Sequence, residues 1–344
     1  MEAGLDARRR NYVLARIIAL ALAFGVLAAI QAVYFQRGFI PGDSFTYLAA
    51  GERLNDGHSL YALSAGDRPV ALNPPFWTVP LLSPPPMAVL MRPFALLPGD
   101  GGAYAWWAVC LVAIGGTIVA LVHRRPIATA AAVIVLSIPL AYEIGVGNLN
   151  GVVLALLVSG WFLFARGREV ASGIAFAAAT ALKVTPGIMM WWLVTQRRWS
   201  GVKGFLAASL VVAVVSVLGA GLSAHLEYPG IILQTSAVGS SDLSSAGIAR
   251  FFGLPADVSA AVPIVLLASG FAAIWAARGR PGLAYAIAVV TMLAGSPVVN
   301  VNWFALLLAV IAPLAWPLAT AEDASPEQRG APAPAPVVHP EGRA

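Results

Sequence analysis

Apolar stretches long enough to cross a lipid bilayer recur along this chain, and they constrain its fold more than any other feature. The first, residues 13–35, reads VLARIIALALAFGVLAAIQAVYF and carries one charge, Arg16, near its start. A helix needs roughly 20 predominantly apolar residues to span the hydrocarbon core. Similar runs continue to residue 319. Hydrophobic residues make up 59% of the chain and charged residues 11%, against roughly 25% charged in soluble domains. The expectation is an all-α polytopic membrane protein. No small-residue cleavage site follows the first run, and it is long for the apolar region of a signal peptide, so it reads as a permanent anchor. The single cysteine, Cys110, lies inside an apolar run. It excludes an intramolecular disulfide and a cysteine-based metal site.

The net charge of +5 does not point to nucleic acid, because the basic residues sit in short clusters between the apolar runs. These clusters are Arg8–Arg10, His123–Arg125, Arg166–Arg168, Arg197–Lys203 and Arg278–Arg280. The positive-inside rule places all of them in the cytoplasm. The runs 127–143 and 150–166, 170–182 and 187–196, 204–222 and 259–277, and 282–295 and 303–319 then form outward and returning pairs. With 13–35 and 103–122 they make about ten transmembrane helices. Residues 1–12 form a cytoplasmic N-terminus, 13–319 the membrane domain and 320–344 a Pro- and Ala-rich cytoplasmic tail expected to be disordered. Residues 36–102 must begin and end outside, yet the stretch PFWTVPLLSPPPMAVLMRPFALLP within them is apolar and dense in proline. Proline opposes a straight spanning helix, so broken or re-entrant helices are expected there. The runs 170–182 and 187–196 are shorter than a span and should bury their ends in protein or line a cavity. Alanine- and arginine-rich usage suggests a bacterial plasma membrane.

With this topology the polar motifs fall on one side, facing the periplasm or exterior. The first outer loop, 36–102, carries Asp43, Tyr47, Asn73 and Arg92. Later segments carry Asn148 and Asn150, then Lys183 in LKVTP, then Asp242 and Arg250 in the long outer loop 223–258, then Asn300 and Asn302. Asp43 is either an N-cap for a helix starting near Ser44 or a carboxylate tuned by apolar surroundings for general-base work. Lys183 either snorkels to the interface or, outside against the positive-inside trend and before Pro186, binds an anion such as phosphate. Asn150 reads as an N-cap. Asn300 and Asn302 read either as interhelical hydrogen-bonding residues or as site residues. Asp242 and Arg250 are candidates to pair, and Glu143 is a candidate partner for Lys183 or Arg92. Trp106, Trp107, Trp191, Trp192 and Trp199 read as interfacial belts.

The ordered series DSFTY at 43–47, GHSLY, NPPF…RPFALLP…AWW, GNLNGVVLALL, ASGIAFAAATALKVTP…RRW, SSDLSSAGIARFFG and SPVVNVNW resembles glycosyltransferase family 87, over about residues 36–310. That family comprises polyprenyl-phosphate-mannose-dependent mannosyltransferases and their relatives, with a GT-C type fold. The resemblance implies that Asp43 is the catalytic base. It matches Asn73-Pro74-Pro75 to the family's YPP motif, Gly147–Asn150 to its GQ-N motif, and Lys183, Thr185 and Pro186 to its K-TP motif. Ser241–Ser244 matches its NQS motif only loosely. The histidine usual in the last outer loop is absent from Ser296–Asn302.

These features imply transfer of a sugar, mannose first, from a polyprenyl-phosphate donor to a glycolipid or glycan acceptor at the outer face of the membrane. Asp43 would take the acceptor proton in an inverting displacement. Lys183, with Arg92 or Arg250, would meet the phosphate, and Tyr47, Asn73, Asn148, Asn150, Asp242, Asn300 and Asn302 would line the substrate site. The leaving group is already a phosphate monoester, so positive charge suffices and neither metal nor cofactor is expected. The alternatives are a lipid-linked sugar transporter or flippase, an enzyme using another polyprenyl-phosphate sugar such as arabinofuranose or glucose, and a non-catalytic homologue.

Overall fold

The computed structural model describes residues 2–38, 40–61, 81–238 and 243–318. Asn73, Asp242 and the expected disordered tail lie outside the described residues. Every regular element among those described is helical. In chain order they are α1 (Glu2–Gln36), α2 (Gly42–Asn55), α3 (Pro85–Met91), α4 (Gly101–Arg124), α5 (Pro126–Val135), α6 (Ser137–Val146), α7 (Asn150–Ala165), α8 (Glu169–Leu182), α9 (Ile188–Thr195), α10 (Trp199–Val238), α11 (Ser245–Phe251), α12 (Ala256–Ala276), α13 (Pro281–Ala294) and α14 (Ala312–Ala315). Short 3-10 turns cover Phe94–Leu96 and Thr185–Gly187, and a longer 3-10 segment, Val301–Ile311, leads into α14.

Among the described residues, four helices are long and apolar enough to cross a membrane, at Arg10–Gln36, Gly101–Arg124, Trp199–Leu233 and Ala256–Ala276, and α5 with α6 makes a fifth if the bent pair is one span. This is the architecture of a polytopic membrane protein. The expected ten spans are not reached by length, because α7, α8, α13 and Val301–Ala315 are apolar but shorter, at 10–17 residues. The first outer loop, where described, consists of short broken helices, as its prolines require.

Two breaks in these helices have identifiable causes. The pair α5–α6 bends by 71°. Pro139, three residues into α6, has no N–H for the carbonyl of Val135, and its ring clashes with that carbonyl, so the helix yields there. In α10 the break lies at Gly221, with φ 80° and ψ 158°. That conformation is essentially restricted to glycine. His225 straps the break: its Nδ1 donates to the Gly221 carbonyl (2.8 Å), and its Nε2 accepts from the Ser216 hydroxyl (2.9 Å). Pro229 follows inside the same helix. The long outer loop expected at 223–258 is therefore largely the continuation of α10, followed by α11. Gly221→Ala is expected to destabilise the protein by about 1–3 kcal/mol, read as a lower unfolding midpoint in mixed micelles.

Basic residues near the helix ends are tied to neighbouring elements. Arg16 donates to the carbonyl of His123 (2.7 Å), Tyr12 donates to the carbonyl of Arg124 (3.0 Å), and Arg125 donates to the carbonyl of Leu314 (2.6 Å). Arg198 and Glu169 pair at 2.9 Å.

The tryptophans depart from the belt expectation. Trp106 and Trp192 are 2% and 0% exposed, whereas Trp199 is 58% exposed. Trp192 packs with Trp161, Phe164, Phe176 and Tyr285, joining α7, α8, α9 and α13. Its Nε1 donates to the carbonyl of Pro281 (3.2 Å), and the Tyr285 hydroxyl donates to that of Leu157 (3.0 Å). Large aromatic surfaces fill volume in the bundle core, and Trp192 and Tyr285 do so with their polar atoms paired, whereas Trp106 Nε1 is buried without a hydrogen-bond partner.

Candidate active site

A cavity of about 670 Å³ gathers the outer-side motifs. Asp43, Thr46 and Tyr47 reach it from α2, Tyr142 and Asn148 from α6 and the turn after it, and Lys183 and Thr185 from the break between α8 and α9. The segment before the long 3-10 stretch adds Asn300, and that stretch adds Asn302 and Trp303. The outer half of α10 closes one side with Tyr228, Pro229, Ile232 and Leu233. One end of the cavity is thus polar and charged, and one wall is apolar.

Asp43 lies in the first turn of α2, where the helix dipole favours a negative charge. The N-cap is Pro41 and no side chain caps this helix, so the capping alternative for Asp43 does not hold. The turn after α6 fixes α2 in place. Gly147 closes α6 with φ 65°, and the Ser44 hydroxyl donates to its carbonyl (2.9 Å). A Cβ at position 147 would stand 2.1 Å from that hydroxyl oxygen, so only glycine admits both the left-handed turn and the docked helix. Asn148, the next residue, donates from Nδ2 to Asp43 Oδ2 (2.6 Å). Burial pushes the Asp43 carboxyl above its ordinary value, and the Asn148 hydrogen bond and the charge of Lys183 partly offset that rise. A half-buried carboxylate held by an amide donor and open to a cavity is suited to accept a proton.

The two asparagines divide their work differently from the expectation. Asn148, through Oδ1, accepts from the backbone N–H of Asn150 (3.0 Å) and so satisfies a donor at the start of α7. Asn150 is the first residue of α7, not its N-cap, and is fully buried. Its Nδ2 donates to Glu143 Oε2 (3.1 Å), and its Oδ1 accepts from Lys183 Nζ. Lys183 is 8% exposed, which leaves no room for the snorkelling alternative. The Trp303 ring lies over its ammonium, 2.9 Å from the ring centroid, as a cation–π partner. Beside it the Thr185 hydroxyl oxygen is buried with no hydrogen-bond partner.

Of the remaining candidates, Tyr47 is 5% exposed and packs edge-on against Trp106 at 6.3 Å. Asn302 is 2% exposed. The structure does not bring Arg92 or Arg250 to the cavity. Arg92 donates to Asn55 Oδ1 (2.8 Å) and to the carbonyl of Gly219 (3.2 Å), so its guanidinium ties α2 and α3 to α10. Arg250 is in the last turn of α11. Neither residue is in the wall given above. The residue the sequence reading underweighted is Glu143. It is fully buried and accepts from Asn150, Asn302 and the backbone N–H of Gly151. The signal was present: one carboxylate inside the apolar run SIPLAYEIGV, where an ionisable group needs partners.

No solved structure matches this chain. It is 25% identical over 281 residues to a polyprenol-phosphate-mannose-dependent alpha-(1-2)-phosphatidylinositol pentamannoside mannosyltransferase from Mycolicibacterium smegmatis. That alignment covers 76% of this chain and 65% of the relative's length, a little under two thirds. The model of glycosyltransferase family 87 matches residues 82–300, the stretch that holds the α6–α7 turn, Lys183 and most of the cavity wall. On that match, the chain belongs to glycosyltransferase family 87.

Proposed function

We propose that this protein is a membrane glycosyltransferase of GT-C type. It moves a sugar, mannose in this reading, from a polyprenyl-phosphate donor to a glycolipid or glycan acceptor. The observation that supports this best is the composition of this cavity: a carboxylate and an ammonium at its polar end, and the apolar half of α10 beyond Gly221 along its side. A polyprenyl-phosphate sugar has the same division, with a polar sugar phosphate joined to a hydrocarbon tail. Family membership and the mannosyltransferase relative support the same reading.

In this reading Lys183 and the Thr185 hydroxyl receive the phosphate, with asparagines 148, 300 and 302 around the sugar. The acceptor hydroxyl lies against Asp43. Its oxygen attacks the anomeric carbon as the bond from that carbon to the phosphate oxygen breaks. The proton passes to Asp43, the configuration inverts, and the polyprenyl phosphate leaves with its negative charge met by Lys183. The positive-inside rule, applied to the basic clusters between the apolar runs, supports a site that faces the periplasm.

The test uses the protein in lipid nanodiscs with radiolabelled polyprenyl-phosphate mannose, arabinofuranose and glucose, and with native membrane glycolipids as acceptors. Label passing to an acceptor from the mannose donor, and not from a nucleotide sugar, is the expected result. Lipid crossing between leaflets with no sugar transferred would instead identify a transporter.

A further inference from the structure

Resting on the reading above, we infer that Glu143 is the positioning residue of the donor site. It fixes which end of two amides faces Lys183 and the cavity. Its carboxylate is fully buried and receives three donors from two different parts of the chain. Gly151 N–H reaches Oε1 at 2.8 Å, and Asn150 Nδ2 and Asn302 Nδ2 reach Oε2 at 3.1 and 2.9 Å. It thereby ties α6 to the start of α7 and to the 3-10 segment that also carries Trp303.

An ionised carboxylate only accepts hydrogen bonds, so each amide must turn its NH2 end toward it. For Asn150 this leaves the carbonyl oxygen, which accepts from Lys183 Nζ. The flipped amide would set N–H groups against an ammonium. For Asn302 it leaves the carbonyl end for the cavity that this residue lines, as an acceptor for a sugar hydroxyl. The Trp303 ring over Lys183 is carried by the next residue along. Glu143 does not itself line the cavity. Its influence passes through Asn150 and Asn302, while Asp43 is held separately by Asn148.

The expected signature of Glu143→Gln is therefore a split. A glutamine presents one N–H2 edge, so one of the three donors loses its acceptor or one asparagine flips. The KM for polyprenyl-phosphate mannose should rise about ten- to a hundredfold. The KM for the acceptor should stay within about threefold, because the base and its partner are untouched, and kcat at saturating donor should fall by less than the donor KM rises. Glu143→Asp keeps an acceptor-only group and should recover most of the donor affinity. Asn302→Ala removes one of the oriented amides on another element, so it should raise the donor KM in the same way even if Glu143→Gln does not fold. All variants are read in nanodiscs on monodisperse protein, by initial rates with polyprenyl-phosphate [14C]mannose varied at fixed acceptor. A donor KM unchanged in folded Glu143→Gln, or in Asn302→Ala, overturns the inference. So does a uniform loss in which donor KM, acceptor KM and kcat move together, since that is a fold defect. Wild-type protein that transfers from no donor would instead remove the proposed function itself.

Discussion

Asp43→Asn is expected to lower kcat about 10²- to 10⁴-fold while leaving the donor KM close to that of the wild type. The substitution keeps the shape of the side chain and an oxygen for Asn148 Nδ2, which stands 2.6 Å from the carboxylate. It removes only the capacity to take a proton. Burial raises the Asp43 carboxyl above 3.8, so the base is lost as pH falls through that raised value, and activity falls with it. The acidic limb of kcat/KM against pH should accordingly stand above the ordinary carboxylate range and be missing from the residual activity of the variant. Full transfer by Asp43→Asn, or an unchanged acidic limb in what remains, would place the base elsewhere.

Lys183→Ala is expected to reduce kcat/KM about 10²- to 10³-fold, the usual consequence of removing a preorganised group that meets developing charge. The loss should appear in donor KM as well as in kcat, because in the proposed reaction the ammonium meets the phosphate both bound and leaving. Lys183→Arg should not restore activity. The ammonium fits between the Asn150 carbonyl oxygen and the Trp303 ring, and a planar guanidinium fork needs more room and a different set of partners. Direct donor binding, measured by quenching of tryptophan fluorescence, separates this outcome from that of Asp43→Asn. The lysine variants should lose binding and the aspartate variant should keep it.

Much of this was legible in the sequence. Several apolar runs match single helices: 103–122 falls within α4, and 170–182 and 187–196 correspond to α8 and α9, whereas 127–143 is broken into α5 and α6, 204–222 is part of the longer α10, and 303–319 is largely a 3-10 segment. Grouping the polar motifs on one side also places Asp43, Asn148, Lys183, Asn300 and Asn302 around one cavity. What the sequence could not supply is the pairing across elements. Asn148 and Asn150 are alike by composition and two residues apart, yet one serves Asp43 and the other Lys183, because the left-handed turn at Gly147 points them to different partners. Arg92 had the charge for a phosphate site, but nothing local says that its guanidinium meets Asn55 and Gly219 instead. Trp106 and Trp192 read the same in a belt as in a core, since the broad ring of a tryptophan suits either setting. Gly221 in an apolar run looks like any small residue of a membrane helix until its backbone angles are known.

The break at Gly221 also bears on how the lipid environment enters catalysis. In the most apolar stretch of α10 only 11% of the residues are buried. The outer half of that same helix, beyond the break, is the apolar wall of the cavity. If the exposed face of α10 meets lipid, the proposed reacting groups lie behind a helix jointed at a glycine. A substrate with a hydrocarbon tail need never leave the bilayer to reach Asp43, and its spent carrier can return by the same route. The annular lipids then act as a working part of the enzyme, and turnover should follow their fluidity and thickness as closely as it follows the concentration of donor.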